Sequence, residues 1–230
     1  MRKSIVAAVA LLLSSGAQAV TYDAFTSFNG TQGAGGFGWV SAVDQNLTPL
    51  TSVSCVINNT ICLGLQNGAF GLPGVFKSTG IPSSSHPYQP LDRLLVHPGS
   101  ASSLIGFFIA PTAGEYSFEA TLDALTTSTS VGIFALTNAS GSTNVFASGF
   151  LGTPGATRTF SGTFDLDAGE VIGIGVNNAG NFAGDSTGLR FTVTQNVTAV
   201  PEPASWALMI GGFALAGTAA RRRNTRIAYA

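Results

Sequence analysis

The chain has 230 residues, of which only 9% are charged, and it contains 29 glycines and 16 phenylalanines. This length allows one domain of about 150–200 residues after processing, and the composition is typical of a strand-rich protein, not of a helical bundle or a disordered tail. The formal net charge of −1 hides a segregation: residues 20–200 carry four cations and ten acids, and the other six cations lie at the two ends. The body is therefore acidic, which argues against nucleic acid as a partner.

The first 19 residues have the three parts of a secretory signal peptide. A basic start (MRK) precedes an apolar run over residues 5–13, and AQA at residues 17–19 is a small-residue cleavage site. An amphipathic first helix is the alternative, but the apolar run has no polar face. We expect signal peptidase to cleave after Ala19 and the rest of the chain to be exported.

Export determines how the two cysteines are interpreted. Cys55 and Cys62 flank Asn58 and Asn59, a pair that suits the centre of a tight hairpin turn and would place the cysteines directly opposite each other. In an oxidising compartment such a pair forms a disulfide, and closing so short a loop contributes roughly 2–3 kcal/mol. Two free buried thiols are the alternative.

The body, residues 20–198, is predicted to be all-β. Three segments alternate apolar and polar residues with the period of two that is typical of half-buried strands: EYSFEAT (115–121), TRTFSGTF (157–164) and LRFTVTQ (189–195). Four less alternating segments are predicted to be more deeply buried strands: LIGFFIA (104–110), SVGIFAL (130–136), NVFASGF (144–150) and EVIGIGV (170–176). Short strands separated by frequent turn signals favour an antiparallel β-sandwich of the jelly-roll type. Residues 20–93 are expected to complete this ectodomain with edge strands and long loops.

The C-terminal segment has the pattern of a membrane anchor. Residues 204–220 carry no charge, and Arg221, Arg222 and Arg223 follow them. As a helix this run spans about 25 Å, which is just enough for a thin bilayer. The arginines suit the cytoplasmic end and Trp206 suits an interfacial position. We predict one short transmembrane helix; a buried core helix is the alternative, and it leaves the arginines unexplained.

The same segment, VPEPASWALMIGGFALAGTAARRR, resembles the PEP-CTERM sorting signal in its PEPxxWA form. The resemblance rests on Pro201-Glu202-Pro203, Trp206-Ala207, the Gly-containing run and the arginine cluster. It implies a sorting signal over residues 199–226, followed by a tail of residues 227–230. It also implies recognition by exosortase, a membrane-embedded cysteine transpeptidase of Gram-negative bacteria that make exopolysaccharide.

In that family the protein is the substrate of exosortase. The resemblance therefore implies a precursor anchored in the inner membrane and then a product at the cell surface or outside the cell. Pro201, Glu202 and Pro203 would serve recognition and processing. Residues 94–194 also resemble the galactose-binding-type jelly rolls of PEP-CTERM ectodomains.

Three acids are candidates for a metal site. Asp165, Asp167 and Glu170 offer oxygen ligands in a turn, as Ca²⁺ requires. The alternative is that they are solvated turn carboxylates, because Asp hydrogen-bonds its own backbone in turns.

Four residues are candidates for carbohydrate binding, in which an aromatic ring covers the apolar side of a pyranose and a polar group lies beside it. They are Trp39, Tyr88 and Phe182, with Asp185 as the acid. For each aromatic the alternative is packing in the core or at a sheet edge. An exopolysaccharide would be the partner.

The sequence contains no catalytic constellation that we can assemble. H-E-x-x-H does not occur, and the one G-x-S-x-G match, GDSTG at residues 184–188, leads into the strand segment LRFTVTQ and not into a helix, so it is not a nucleophile elbow. His86 and His97 each precede a proline, which favours extended loop segments over a rigidly held general base. We predict a non-enzymatic surface or matrix protein without a cofactor, apart from the Ca²⁺ considered above. A secreted hydrolase and a permanently anchored structural envelope protein are the alternatives.

Overall fold

The structure is a computed structural model. It describes residues 19–44, 46–55, 57–65, 72–81, 89–126, 131–139, 142–180, 183–196 and 203–225, and side chains of the last range only for residues 207–221. Several residues and segments of the sequence predictions lie outside this description: residues 1–18 of the signal peptide, Tyr88, Phe182, Pro201, Glu202, the tail of residues 227–230, and the side chains of Pro203, Trp206, Arg222 and Arg223.

Residues Ala19–Asn196 form one compact unit that is almost entirely β-structure. Its strands are β1 (Val20–Asp23), β2 (Phe37–Val43), β3 (Asn46–Pro49), β4 (Thr51–Ser52), β5 (Thr60–Gly64), β6 (Gly74–Ser78), β7 (Leu94–His97), β8 (Ser103–Ile109), β9 (Gly114–Ala124), β10 (Val131–Thr137), β11 (Asn144–Leu151), β12 (Thr157–Leu166), β13 (Val171–Asn177) and β14 (Thr187–Asn196). A short helix α1 (Ala24–Ser27) and one 3₁₀ turn (Ala34–Gly36) lie between β1 and β2.

The strands form two antiparallel sheets. The larger has the order β12-β9-β14-β7-β6-β5-β4, with β1 paired to β14, and the smaller has the order β11-β10-β13-β8-β2-β3. Long strands with period-two alternation form the centre of the larger sheet, where Phe191 of β14 pairs with Ala120 of β9. The predicted all-β, jelly-roll-like sandwich is confirmed.

The core lies between the two sheets and is built from aromatic and branched side chains. The rings of Phe37 and Phe191, from opposite sheets, are 5.3 Å apart, and those of Phe108 and Tyr116 are 5.9 Å apart. Tyr116 is fully buried, and its hydroxyl donates to the backbone oxygen of Thr112. Each such side chain contributes roughly 1.5–3 kcal/mol through the apolar surface that it removes from water.

Strand β11 differs from its prediction. The segment NVFASGF was expected to be deeply buried, but β11 is the edge strand of the smaller sheet, and Val145, Phe146 and Phe150 are exposed. An edge strand has one neighbour instead of two, so apolar composition alone does not bury it. The interior strands of this sheet are β10, β13, β8 and β2, and β8 is buried on one side only, with Ile109 exposed at its end.

Cys55 and Cys62 form a disulfide, with their Cα atoms 5.9 Å apart, as predicted. The turn is also where it was expected, and Asn59 adopts the left-handed conformation, with φ of 59°.

The predicted pairing register around this turn is wrong. Strands β4 and β5 pair through Thr51 with Gly64 and Ser52 with Leu63. Strand β4 ends at Ser52, so Cys55 lies in the segment after β4 and is not a strand partner of Cys62.

The chain after Asn196 belongs to a separate unit, in which helix α2 spans Pro203–Thr225. Proline suits the first turn of a helix because the missing N–H would have no partner there. The large apolar side chains Leu208, Met209 and Ile210 are consecutive and exposed, so the described part of α2 has no distinct polar side. Among the described residues, none of the helices combines the length and the apolar character that crossing a membrane requires. Insertion of residues 204–220 therefore stays a prediction from the sequence.

Candidate functional site

The two sheets differ in the charge that they carry. None of the six strands of the smaller sheet contains an Asp, Glu, Lys, Arg or His. The larger sheet carries charged residues on its outer side, among them Glu115 and Glu119 of β9 and Arg190 of β14. The sandwich therefore presents one polar outer side and one uncharged outer side.

We call the uncharged outer side the apolar face. Because side chains alternate along a strand, the residues between the core residues of the smaller sheet point outward. On three of its strands these include Ile105, Phe107 and Ile109 of β8, Phe134 of β10, and Phe150 of β11. Phe150 is the most exposed of them, at 62%.

Glycines on neighbouring strands allow two rings of the apolar face to lie across the sheet. A Cβ atom added at Gly175 would lie 2.0 Å from Cζ of Phe134, and one added at Gly38 would lie 2.4 Å from Cζ of Phe107. Each ring therefore occupies the space in which its strand neighbour would carry a side chain. Phe134 and Phe107 are half-buried in these positions, and part of each side chain remains accessible to solvent.

A groove of about 490 Å³ lies at the β11 edge of the apolar face. Its lining comes from β10, β11 and β13 and the residues after β13: Gly132, Ile133, Phe134, Ser148, Gly149, Phe150, Asn177 and Ala179. The Asn177 side chain lies where a Cβ of Gly132 would be, and its Oδ1 accepts a hydrogen bond from the backbone N–H of Ala179. Among the described residues, the amide Nδ2 of Asn177 has no hydrogen-bond acceptor.

The groove has the chemistry of a binding site, not of a catalytic centre. Two aromatic rings lie beside one hydroxyl and one amide, and no lining side chain titrates near neutral pH. General acid–base chemistry requires a titrating group in reach of the ligand, and the lining supplies none. Sequence analysis nominated none of these residues, although the absence of charge from the strand segments was visible there.

Trp39 was predicted as a carbohydrate platform, and the structure corrects this. Its side chain is only 1% exposed, and its ring packs against Phe28 at 6.1 Å and over Gly106. A buried ring cannot stack on a sugar from solution. The core-packing alternative holds for Trp39.

Asp185 is also unable to contact a ligand at the surface, because it is 0% exposed. Three hydrogen bonds hold the backbone around it: Leu125 N–H donates to the Ser186 oxygen, Thr126 Oγ1 donates to the Gly184 oxygen, and Thr187 Oγ1 donates to the Asp185 oxygen. Neither carboxyl oxygen of Asp185 has a hydrogen-bond partner among the described residues. Burial in this position raises the pKa of Asp185 to about 7.

This pKa predicts a dependence of stability on pH. The unfolded carboxyl group titrates near 3.8, so between about pH 4 and 7 the unfolded state releases a proton that the folded state keeps. Asp185 therefore lowers the free energy of unfolding as pH rises, and Asp185→Asn is expected to be more stable than the wild type above pH 7 by about 1–3 kcal/mol. Urea unfolding of both proteins at pH 4 and pH 8 measures the difference.

His97 has the opposite effect on stability: burial lowers its pKa, so its contribution to the free energy of unfolding rises with pH. The test is therefore the difference in the free energy of unfolding between wild type and Asp185→Asn at each pH, in which the contribution of His97 cancels. Asp167→Asn, at an exposed position, is the matched control. An equal difference between wild type and Asp185→Asn at both pH values would contradict the prediction.

The acids predicted as a Ca²⁺ site line a surface cleft of about 350 Å³ but do not form a ligand set. Glu170 Oε2 accepts a hydrogen bond from the backbone N–H of Asp167, and Asp165 and Asp167 are exposed. In the described ranges, no three or more His, Cys, Asp or Glu side chains are grouped so that they could hold a metal ion. The alternative of turn carboxylates agrees with this geometry.

The sequence predicted an extended loop segment at His97, but His97 is the last residue of strand β7. Its Nδ1 lies 2.7 Å from the backbone oxygen of Pro98, and the side chain is half-buried. His86 lies outside the described residues.

Comparison with known families concerns the C-terminal segment. Residues 199–223 match the model of the PEP-CTERM protein-sorting motif. The chain carries a PEP-CTERM motif. The motif implies an exported protein that exosortase processes. The matched residues, 199–223, include the Pro-Glu-Pro residues, Trp206 and the three arginines that the sequence analysis named.

No curated protein matches the chain. Among solved structures, the CBM22-1–GH10 modules of Clostridium thermocellum xylanase 10B, complexed with xylohexaose, match at 12% identity with a TM-score of 0.33, over 71% of this chain and 27% of that one. The globular domain of zebrafish complement 1qA matches at 12% identity and a TM-score of 0.28, over 41% of this chain and 70% of that one. Murine APRIL at pH 8.5 matches at 10% identity and a TM-score of 0.30, over 70% of this chain and 99% of that one. Scores this low carry no conclusion about ligand or activity.

Proposed function

We propose that the protein is a surface or extracellular-matrix protein, sorted by exosortase, whose β-sandwich binds carbohydrate without catalysis at the groove of the apolar face. The sorting part rests on the PEP-CTERM motif over residues 199–223. The carbohydrate part rests on one observation, the uncharged groove in which two rings lie beside a hydroxyl and an amide.

The proposed maturation has three steps. Signal peptidase removes residues 1–19 during export across the inner membrane of a Gram-negative bacterium. Residues 204–220 then hold the precursor in the membrane, with Arg221 and its neighbours on the cytoplasmic side. Exosortase acts near Pro201-Glu202-Pro203 and delivers the sandwich to the surface, where an exopolysaccharide is the expected partner.

The lining of the groove suits a sugar for physical reasons. The C–H side of a pyranose is apolar and can lie on an aromatic ring, whereas its hydroxyl groups need donors and acceptors at the rim of the contact. Phe150 and Phe134 supply the rings, and Ser148 and Asn177 supply the polar groups. The groove encloses only part of a ligand, so we expect weak binding of a single sugar.

Phe150→Ala tests this proposal. Removing an exposed ring from the centre of a contact is expected to weaken glycan binding about tenfold, because aromatic side chains contribute more than 1 kcal/mol at such positions. The measurement is a glycan array with the purified protein, followed by titration calorimetry on the glycans that bind.

Leu47→Ala is the matched control, because Leu47 of β3 is 61% exposed on the same sheet but lies outside the groove lining. It should leave binding unchanged. Equal binding by Phe150→Ala and wild type, or no binding of any glycan by the wild type, would contradict the proposed site.

A further inference from the structure

The apolar face holds a second ring site beyond the groove. Phe134 of β10 pairs with Gly175 of β13, and its ring lies over that glycine. Phe107 of β8 pairs with Gly38 of β2, and its ring lies over that glycine in the same way. Both rings therefore extend from their own strand onto the next one, and both do so in the same direction across the order β10-β13-β8-β2.

The two ring sites are too far apart for one sugar to cover both. They lie over β13 and β2, which are two strands apart in the sheet, or roughly 10 Å. Gly175 pairs with Ile105, so Phe107 is also displaced by two residues along β8, or roughly 7 Å. A ligand that contacts both rings must be a chain of several sugars that runs obliquely across the strands.

The charge of the molecule limits the kind of chain. An anionic sugar would lose hydration on this face and needs a cation in return, but the six strands of the sheet carry none. The body of the protein is itself acidic, with ten acids against four cations over residues 20–200, and it repels polyanions. An uncharged chain meets neither penalty.

We infer that the apolar face binds a neutral polysaccharide chain, which occupies the groove at Phe134 and Phe150 and the second ring site at Phe107 together. This inference rests on the proposed function and adds the ligand class, a neutral chain longer than one sugar, and a second contact. The surface between the two sites is apolar, since β13 presents Gly173 and Gly175 on this face and the side chains that lie over them are Leu136 and Phe134 of β10.

Two glycine substitutions test the inference without removing a ring. Alanine at position 175 or 38 places a Cβ where the ring of Phe134 or Phe107 now lies, so that the ring must leave its place. Neither glycine has a positive φ, so alanine does not strain the backbone there. Gly80→Ala is the matched control, because Gly80 follows β6 of the larger sheet, outside the groove lining, and its Cβ would lie 3.9 Å from Cβ of Asn59, an ordinary contact.

The probes are neutral gluco-, manno- and xylo-oligosaccharides, from single sugars to hexasaccharides, and oligogalacturonates of the same lengths. We expect affinity for one neutral series to rise with length until the chain spans both ring sites, no binding of oligogalacturonate, and no effect of added salt. Gly38→Ala should weaken binding of the long oligosaccharides about tenfold and leave the shortest bound ligand unchanged, whereas Gly175→Ala should weaken both. Phe107→Leu and Phe134→Leu repeat the comparison if a glycine variant fails to fold.

The outcomes separate the inference from the proposed function. If a neutral sugar binds and depends on Phe150, but affinity does not rise with length and Gly38→Ala has no effect, the inference is wrong and the proposed function stands. Binding of oligogalacturonate in place of the neutral series also overturns the inference. If no glycan binds and the protein instead self-associates in a way that Phe150→Ala weakens, the apolar face is an interface between copies of this chain. In that case both the inference and the proposed carbohydrate binding are wrong.

Discussion

Glu202→Ala is expected to leave most of the protein as an unprocessed precursor and to remove it from the cell surface. Glu202 is the sole acid after Asp185, and it stands between two prolines that lack a donor N–H and favour extended backbone. An enzyme that recognises this motif therefore meets one negative charge between two residues that have no backbone N–H to donate. Removing the charge removes the feature that distinguishes the segment from the rest of the tail.

The measurement is an immunoblot of surface, periplasmic and membrane fractions, in which the precursor runs as the larger form. Ser205→Ala, within the same PEPxxWA segment but at an unspecified position, is the matched control and should be processed normally. Normal processing of Glu202→Ala would show that the motif match does not reflect recognition of these residues.

Trp39→Ala is expected to lower the free energy of unfolding by about 3–5 kcal/mol, the range for loss of a large aromatic side chain from a core. Trp39 is buried between the sheets, with Phe28 edge-on to its ring and Gly106 beneath it. The neighbours cannot fill the resulting cavity without moving whole strands. Urea unfolding followed by far-UV circular dichroism measures the change.

Phe150→Ala provides the contrast, because the loss of this exposed ring should lower the free energy of unfolding by less than about 1 kcal/mol. If Trp39→Ala kept its stability but lost glycan binding, Trp39 would be a ligand contact after all. The two substitutions together therefore separate the core aromatic from the surface aromatic.

The sequence predicted those parts of the fold that depend on alternation. Tyr116 and Phe118 of β9, and Phe191 and Val193 of β14, were assigned to the buried side, and all four are in the core. Alternation of apolar and polar residues predicts which side chains of a strand are buried when one side of the strand faces water and the other faces a packed core.

The position of a strand within its sheet was not predictable in the same way. NVFASGF and EVIGIGV have similar apolar content, yet the first lies in edge strand β11 and all but the first residue of the second lies in interior strand β13. Strand order depends on contacts between residues distant in sequence, which periodicity does not record. For this reason Phe150 was missed as a surface residue.

Aromatic residue type was a poor guide to the candidate site. Trp39 was chosen as the larger ring, but its position opposite Gly106 places it in the core. The more informative signal was the pairing of aromatics with glycines, as for Phe134 and Gly175, and it becomes visible only when the register is known.

The central claim is that this chain is an exosortase substrate that reaches the cell surface without its tail, and the mass of the native surface form tests it most directly. Intact-mass spectrometry with peptide mapping should give an N-terminus at Val20 and a C-terminus in or beside Pro201-Glu202-Pro203. Recovery of a surface protein that retains Arg221, Arg222 and Arg223 would contradict the account.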